Sequence, residues 1–298
     1  MSDDVIRTKS LGTSSEGVRD QYADGKAAKV WELFIGDKKS RTESYKNFLI
    51  GLLKKKGCRR ILDVACGTGV DSIMLLEEGF EVVSCDASDK MLKYALQERW
   101  DRRKQPAFDK WIIEEANWLT LYDDIGSLVG DGFDAVICLG NSFAHMMDSF
   151  GDQREQKQAI KNFERCVKPG GLLLIDHRNY DHIVSSGETP SKCIYYNSSY
   201  HTDIKTSVLY VSGKPAMVMM DYVIDTANYK NGKQAAQVAN SDTINEFRLS
   251  YYPHRLVSFK DMLKEAFNAK DDHQIFGDFQ KLTEIAVPNF YIHVVEKK

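Results

Sequence analysis

The stretch Ile61-Leu-Asp-Val-Ala-Cys-Gly-Thr-Gly-Val-Asp71 has the pattern of a β-strand that runs into a glycine loop and then opens a helix. A second apolar run, Phe80-Glu-Val-Val-Ser-Cys-Asp86, follows it and ends in a carboxylate. Gly67 and Gly69 allow the backbone to come close to a ligand or to adopt positive φ. Asp86 stands where a carboxylate can accept hydrogen bonds from both hydroxyls of a ribose. Together the two segments favour a nucleoside-binding α/β unit over a structural turn that holds no ligand.

The loop differs from the phosphate-binding loops that share its general form. It does not match the dinucleotide pattern G-x-G-x-x-G, because Ser72 stands at the place of the third glycine. It also lacks the Lys-Ser/Thr pair of a P-loop. Asp63 lies just before the loop, where its negative charge would repel a pyrophosphate. A cationic or amino-bearing ligand suits this carboxylate better, and a nicotinamide dehydrogenase is disfavoured.

Apolar periodicity predicts alternating helices and strands around this loop. The predicted helices cover residues 24–35, 41–56, 70–78, 88–100, 153–167 and 258–268. The further predicted strands cover residues 111–114, 132–141, 168–176 and 288–296. This order is typical of an α/β protein with a largely parallel sheet.

The pattern changes after Asp176. Residues 177–255 have few helical periods and many tyrosines and β-branched residues, which favours an antiparallel sheet. Its predicted strands cover residues 207–211, 216–224 and 244–252, and the polar residues 226–242 are predicted to form a loop. We interpret this region as an inserted lid. Residues 1–20 are polar and are predicted to form an extended arm.

Composition narrows the class of protein. The chain has 298 residues, a formal net charge of -3 and no long basic block, so nucleic acid is not an expected partner. No apolar run approaches the length of a membrane span, and the first residues lack the apolar core of a signal peptide. The six cysteines form no C-x-x-C pair, and no zinc spacing occurs among them and the seven histidines. A reducing cytoplasm is the expected location.

Several longer segments resemble the glycine N-methyltransferase family, within the class I S-adenosylmethionine-dependent methyltransferases. They are residues 21–25, 63–74, 86–94, 116–119, 137–145, 175–180 and 247–254. The resemblance covers nearly the whole chain and is weakest at residues 183–206, 226–243 and 269–287. It implies a doubly wound, mixed seven-stranded α/β sheet with an inserted antiparallel lid. The implied parts are an arm over residues 1–20, a methyltransferase domain over residues 21–178 and 253–298, and a lid subdomain over residues 179–252.

The resemblance also implies an activity and partners. The implied reaction transfers a methyl group from S-adenosylmethionine to the nitrogen of glycine and gives sarcosine and S-adenosylhomocysteine, without a metal. Methyl transfer from a sulfonium is an in-line displacement, in which good alignment is worth up to ~7–11 kcal/mol. The resemblance further implies a cytoplasmic homotetramer whose N-terminal arms reach into neighbouring subunits, and inhibition by reduced folate bound near those arms.

Site residues follow from the resemblance position by position. The implied cofactor contacts are Tyr22, Trp31, Arg41, Ala65, Asp86, Asn117, Trp118, Leu139 and His145, to which the loop pattern adds Asp63 and Gly67. The implied glycine contacts are Phe34, Gly140, Asn141 and Arg178. The residues implied around the reaction centre are Tyr22, Asn141, Arg178, Tyr196, Tyr222 and Tyr251. Within these sets, Arg41 would pair with the methionine carboxylate, Asp86 would hold the ribose, and Asn117 with Trp118 would hold the adenine.

Several of these residues have an alternative interpretation. Arg178 can bind a carboxylate with two parallel hydrogen bonds, but an isolated arginine more often forms a surface salt bridge. The tyrosines can stabilise a cationic sulfur or nitrogen, or they can be ordinary packing residues. Asn141 can orient an amine or simply form a turn, and His145 can be a base or a structural histidine.

Three departures from the family pattern leave alternatives open. Phe34 replaces a usual tyrosine on the substrate side, which keeps a glycine/sarcosine methyltransferase as an alternative. Ile6 replaces a common aromatic residue in the arm and weakens the expectation of tight folate inhibition. Ala65 stands where a further glycine is usual. A regulatory protein that binds the cofactor or folate with little turnover is the alternative from another functional class.

Overall fold

The computed structural model describes residues 41–190, 193–196, 202–224, 246–268 and 272–298. The predicted arm over residues 1–20, the predicted helix over residues 24–35 and the predicted loop over residues 226–242 lie outside these residues, as do Tyr22, Trp31 and Phe34.

Eight strands of the described residues form the main sheet. Those in the first half of the chain are β1 (Arg60–Asp63), β2 (Glu81–Asp86), β3 (Ile112–Glu115) and β4 (Phe133–Cys138). A long strand β5 (Val167–Arg178) follows, and β9 (His273–Gly277), β10 (Gln280–Lys281) and β11 (Phe290–Glu296) complete the sheet. The order across the sheet is β10-β9-β11-β5-β4-β1-β2-β3.

The sheet is mixed, as predicted. Strands β1 to β5 pair in parallel, whereas β11 pairs antiparallel with both β5 and β9. The prediction of seven strands is wrong by one, because the two-residue strand β10 turns back on β9 at the antiparallel edge. Neither β9 nor β10 is predicted from sequence, since both are short and lie where the family resemblance is weak.

Helices cover the sheet. Before β4 they are α1 (Glu43–Lys55), α2 (Val70–Glu77), α3 (Asp89–Asp101), α4 (Pro106–Asp109), α5 (Leu121–Asp124) and α6 (Gly126–Val129). After β4 they are α7 (Arg154–Cys166), α8 (Tyr180–Ser186) and α9 (Leu256–Phe267), and a 3-10 turn covers Ser142–His145. The predicted helices over residues 41–56, 70–78, 88–100, 153–167 and 258–268 are confirmed within two residues at each end. None of the helices in the described part of the chain combines the length and apolar character needed to cross a bilayer.

Alternate residues of the central strands enter two hydrophobic cores, one on each face of the sheet. Ile61 and Val82 lie in a core with α1 and α2, whereas Leu62 and Val83 lie in a core with α7 and α9. Burial on both faces explains why these strands are continuous apolar runs in the sequence. It also fixes the strand register, because a shift by one residue would exchange the two cores.

A separate antiparallel sheet follows β5. It consists of β6 (Thr202–Val211), β7 (Lys214–Ile224) and β8 (Glu246–Tyr251), in the order β6-β7-β8. Helix α8 packs Tyr180 and Ile183 against this sheet and is absent from the sequence-based prediction. Its start is set by Asn179, whose side-chain oxygen accepts the backbone N–H of His182 at 3.0 Å. The strands confirm the predicted antiparallel unit.

Candidate active site

A cavity of about 530 Å³ lies at the carboxyl ends of the parallel strands. Every parallel strand contributes to its wall through the residues at or just after its carboxyl end, which is the usual position of a ligand site in an open α/β sheet. Tyr222 and Tyr251 of the small antiparallel sheet form part of the opposite wall. The volume falls within the range of pockets that hold small ligands, about 300–1,000 Å³.

The glycine loop is fastened to Asp86. Gly67 has a φ of 54°, and its N–H donates to Asp86 Oδ2 at 2.9 Å. The N–H of Ser88 donates to the other carboxylate oxygen at 2.9 Å. A carboxylate oxygen has two lone pairs, so a carboxylate at this position can accept hydroxyl groups as well as backbone N–H groups.

Gly69 is required by packing as well as by backbone conformation. Its φ is 87°, and a Cβ atom at this position would lie 2.7 Å from the Trp111 ring and 3.1 Å from the Ala95 Cβ. Trp111 is fully buried beneath the loop, and its indole N–H donates to Ser84 Oγ at 2.7 Å. The loop therefore rests directly on a rigid aromatic side chain.

Asp63 supports the loop from beneath and is not part of the cavity wall. Ser72 Oγ donates to Asp63 Oδ2 at 2.7 Å and lies 2.7 Å from Ser84 Oγ, so that a buried polar network links Asp63 to Trp111. Burial raises the pKa of Asp63 to about 7, and the nearby charge of Asp71 adds to this increase. Asp63 is thus engaged with the protein itself, and the cofactor contact predicted for it stays a prediction.

The wall after β3 is formed by Asn117 and Trp118. The indole N–H of Trp118 donates to the Val64 carbonyl at 2.6 Å, and its ring stacks on Phe143 with centroids 5.6 Å apart. Asn117 Oδ1 accepts the N–H of Leu119 at 3.0 Å. Since the indole N–H is already engaged, Trp118 offers a ligand its ring surface and its backbone.

Arg41 enters the cavity from the segment that precedes α1. Its guanidinium Nη2 lies 2.8 Å from Asp71 Oδ1 and stands over the rings of Tyr45 and Tyr196, at 5.6 and 5.8 Å. An isolated β-bridge joins Arg41 to Tyr196. Thr42 fastens the same segment, because its N–H donates to the Tyr195 carbonyl at 3.0 Å. Asp71, in the first turn of α2, is a cavity residue that the sequence analysis does not single out.

Asn141 connects the strand ends of β4 and β5. It adopts positive φ, 65°, and its N–H donates to Asp176 Oδ1 at 2.8 Å. Its side-chain oxygen accepts the N–H of Arg178 at 3.0 Å, and its side-chain amide donates to the Tyr180 hydroxyl at 2.9 Å. The hydroxyl of Tyr195 donates to the second oxygen of Asp176. Burial raises the pKa of Asp176 to about 7.

Arg178 is the most unusual charge in the cavity. The residue is 8% exposed, and its guanidinium stands 4.8 Å from the centre of the Phe290 ring. Its Nε is buried, and among the described residues it has no hydrogen-bond partner and the guanidinium has no ion pair. A buried charge without a counter-ion is costly, so its retention at a cavity wall points to an anionic ligand.

Aromatic hydroxyls surround this guanidinium. The hydroxyls of Tyr222 and Tyr251 lie 3.1 Å apart, and both rings are buried. The His145 ring packs on Tyr251 with centroids 4.7 Å apart, and burial lowers the pKa of His145 to about 4. His145 is therefore neutral at pH near 7, and it is a weak base at this position.

One cavity brings together fourteen of the predicted site residues. They are Arg41, Ala65, Gly67, Asp86, Asn117, Trp118, Leu139, Gly140, Asn141, His145, Arg178, Tyr196, Tyr222 and Tyr251. Sequence reasoning misses Asp71, Tyr180, and the Asp176–Tyr195 pair. The sequence position of Asp71 could have identified it, because a carboxylate in the first helical turn after a glycine loop lies beside the same ligand site as the loop. No comparable signal identifies Tyr195, whose partner lies 19 residues away.

Comparison with known proteins agrees with this arrangement. A family model described as a methyltransferase domain matches residues 62–173. Glycine N-methyltransferase of Rattus norvegicus is 58% identical over 100% of this chain and 99% of its own length. Glycine/sarcosine N-methyltransferase of Halorhodospira halochloris is 33% identical over 94% of this chain and 90% of its own length.

Among solved structures, an S-adenosylmethionine-dependent methyltransferase from Clostridium acetobutylicum shares the fold with a TM-score of 0.61. The match covers 92% of this chain and 98% of the other at 16% sequence identity, which supports the fold alone. The full-length identity to the rat protein goes further, and it shows that the chain belongs to the glycine N-methyltransferase family.

Proposed function

We propose that this chain transfers the methyl group of S-adenosylmethionine to the amino nitrogen of glycine, giving sarcosine and S-adenosylhomocysteine by in-line displacement. The observation that carries the proposal is the buried Arg178 guanidinium, which has no carboxylate partner among the described residues. An amino-acid acceptor supplies a carboxylate of the right charge. The planar fork of an arginine binds such a group through two parallel hydrogen bonds.

The opposite half of the cavity fits the methyl donor. Asp86 can accept both ribose hydroxyls, Trp118 and Asn117 can flank the adenine, and Arg41 lies where a second carboxylate can bind. No lysine occurs in the described wall of the cavity, which disfavours a pyrophosphate ligand. When bound, S-adenosylmethionine supplies a methyl group activated by a cationic sulfur.

The chain's own residues then act mainly by positioning. Arg178 fixes the carboxylate of glycine, and Asn141 holds the Arg178 backbone at the strand end. The hydroxyls of Tyr222 and Tyr251 provide partial negative charge near the positive charge that moves to the nitrogen. The acceptor nitrogen must be neutral to attack, and no covalent intermediate is needed.

Incubation with methyl-labelled S-adenosylmethionine and glycine tests the proposal directly. The expected product is labelled sarcosine. Arg178→Ala and Arg178→Lys should both raise the KM for glycine strongly and leave the affinity for S-adenosylhomocysteine unchanged, because lysine cannot form the bidentate contact. A folded protein that binds the donor but yields no sarcosine would refute the activity.

A glycine/sarcosine methyltransferase remains the second candidate, and the observation that favours it is Phe34. The loss of a tyrosine hydroxyl there would leave more room for an N-methyl group. Comparing glycine and sarcosine turnover in the wild type and Phe34→Tyr decides between the two. A purely regulatory binding protein is less well supported, because it would not need a buried Arg178 charge that has no ion pair among the described residues.

We extend the proposal to the organisation of the chain. Residues 179–252 form a substrate subdomain, which is supported by the separate core of Tyr180, Met220 and Tyr222 in the small sheet. Tyr195 and Tyr196 pack in the main core, so the middle of this segment would fasten the subdomain to the methyltransferase domain. A cytoplasmic location is supported by the six free cysteines. A homotetramer and folate inhibition are supported by the family resemblance alone.

A further inference from the structure

Three imidazoles form a hydrogen-bonded row across β9, β11 and β5, on the face of the sheet that α9 covers. His273 Nε2 lies 2.9 Å from His293 Nδ1, and His293 Nε2 lies 3.1 Å from His177 Nε2. His177 Nδ1 lies 2.8 Å from the carbonyl oxygen of Arg178. We call His273, His293 and His177 the imidazole row. The row ends on the backbone of Arg178, whose guanidinium has no ion pair among the described residues.

The final contact fixes the tautomer of every ring in the imidazole row. A carbonyl oxygen only accepts, so His177 must carry its proton on Nδ1. The Nε2 of a neutral His177 then has only a lone pair, so His293 must donate from Nε2. The Nδ1 of His293 must therefore accept, and His273 must donate from Nε2. All three N–H bonds consequently point toward the Arg178 carbonyl.

The tautomers assigned above require that His177 and His293 are neutral. His177 and His293 are fully buried, and burial lowers the pKa of His177 to about 4 and that of His293 well below its ordinary value. With the other two tautomers unchanged, a further proton on either ring would place two N–H donors face to face. Burial, Lys264 and Lys260 of α9 lower the pKa of His273, whereas Asp181 of α8 opposes the effect of burial on the pKa of His177. The rings of Tyr180, His254 and Tyr291 pack against His177.

Arg178 is thereby held at both of its backbone polar atoms by side chains. Its N–H is held by Asn141 on the cavity side, and its carbonyl is held by His177 on the side of α9. These two bonds determine the direction in which the arginine side chain leaves the end of β5. Asn141, which holds the N–H, lies in a sequence motif and in the cavity wall. The imidazole row lies outside the cavity wall.

We infer that His293 and His273 are positioning residues for Arg178, acting through His177 to keep the guanidinium at the acceptor end of the cavity. The kinetic part of this inference rests on the proposed methylation of glycine. The structural part concerns tautomers and the Arg178 side chain, and it holds whatever the acceptor is.

Two replacements of His293 separate its hydrogen bond from its volume. The amide of His293→Gln can still donate at the position of Nε2, whereas His293→Leu cannot. We expect His293→Leu to raise the glycine KM about tenfold, the factor that corresponds to one buried hydrogen bond. The kcat and the affinity for S-adenosylhomocysteine should stay unchanged, and His293→Gln should restore the glycine KM. If His293→Leu does not fold, His273→Ala removes the outermost donor and should change the KM in the same direction.

Nitrogen-15 NMR shows which nitrogen of each imidazole carries the proton. If the three histidines only filled space, these protonation sites would not depend on one another. The wild type should show His177 protonated on Nδ1, and His293 and His273 protonated on Nε2. In His293→Leu the His177 signals and the Arg178 Nε signal should both shift. The matched control is His254→Leu. The His254 ring is buried and packs on Phe259, as the His293 ring does, but it makes no hydrogen bond to the imidazole row. It should leave the three tautomers of the imidazole row and the glycine KM unchanged.

Two results would overturn the inference. One is a wild-type His177 protonated on Nε2, and the other is an unshifted Arg178 Nε signal in His293→Leu with an unchanged glycine KM. If the wild type forms no sarcosine, the proposed function fails by itself. The imidazole and guanidinium signals then still decide whether the row positions Arg178.

Discussion

Asn141 Oδ1 accepts the backbone N–H of Arg178 at 3.0 Å, so the two residues predicted for the acceptor site hold one another in place. The contact joins the end of β4 to the end of β5 across 37 positions of the chain. It explains why an asparagine with positive φ is useful here, since its short side chain tolerates this conformation and reaches the neighbouring strand.

Asn141 can be tested with two small residues. Asn141→Gly keeps the positive φ and removes only the side-chain contacts, and we expect it to raise the glycine KM by a factor of about 10 to 100. Asn141→Ala should do the same and should also lose about 1 kcal/mol of stability to backbone strain. Thermal unfolding measures the difference between the variants. Equal melting temperatures would show that the backbone conformation carries no cost.

Gly69 and Gly79 form a matched pair. Both have a φ close to 90°, but a Cβ at Gly69 would lie 2.7 Å from Trp111, whereas a Cβ at Gly79 would meet nothing within 4 Å. Gly79→Ala should therefore cost about 1 kcal/mol from strain alone. Gly69→Ala should cost roughly 1–3 kcal/mol more from overpacking and should weaken binding of S-adenosylhomocysteine. Denaturant unfolding and calorimetry measure the two effects, and similar losses in both variants would contradict this account of the loop.

Asp86→Asn tests whether the carboxylate fastens the glycine loop. An amide can accept only one of the two backbone N–H groups, and its own N–H would face the other. We expect the affinity for S-adenosylhomocysteine to fall by a factor of about 10 to 100, which corresponds to one unsatisfied buried donor. Asp89→Asn is the control, because Asp89 lies three residues further on at the surface and pairs with Lys90. Unchanged binding in Asp86→Asn would remove Asp86 from the site.

Asp63 should give a measurable pH dependence of stability. Burial raises its pKa from 3.8 to about 7, so the native state binds this proton more tightly than the unfolded state does. The resulting stabilisation is complete below the unfolded pKa of 3.8 and is lost as the pH rises through about 7. Asp63→Asn cannot titrate, so it should gain stability relative to the wild type over this interval, by up to about 4 kcal/mol. Urea unfolding across the interval measures the gap, and a constant gap would exclude a raised pKa.

Much of the site could be predicted because its residues lie in continuous motifs. The glycine loop, Asp86, Asn141 and Arg178 each stand at the end of a predicted strand, and parallel strands place all such ends at one edge of the sheet. The parallel direction of the predicted strands is therefore enough to predict that these residues share one site. The donor half and the acceptor half of the cavity both follow from this rule.

The contacts that support those residues could not be predicted in the same way. Asp63 precedes the loop as predicted, but its burial beneath the loop depends on Ser72, Ser84 and Trp111, which come from three separate parts of the chain. Helix α8 was missed because its seven residues interrupt a region rich in β-branched side chains. Strands β9 and β10 could not be predicted because they are short and lie within residues 269–287, where the family resemblance is weakest.

The bond from Thr42 Oγ1 to the Ile194 carbonyl spans 152 residues, and it has a consequence for how the protein is made. The glycine loop and Asp86 leave the ribosome early, and they can form strand pairs as soon as β2 and β4 are available. The wall that contains Arg41 is complete only when residues 193–196 have also been synthesised, because Tyr196 forms the bridge that closes it. We therefore expect the glycine loop to form on a nascent chain before the cavity is enclosed. Retention of a ligand is then expected only after residues 193–196 have emerged.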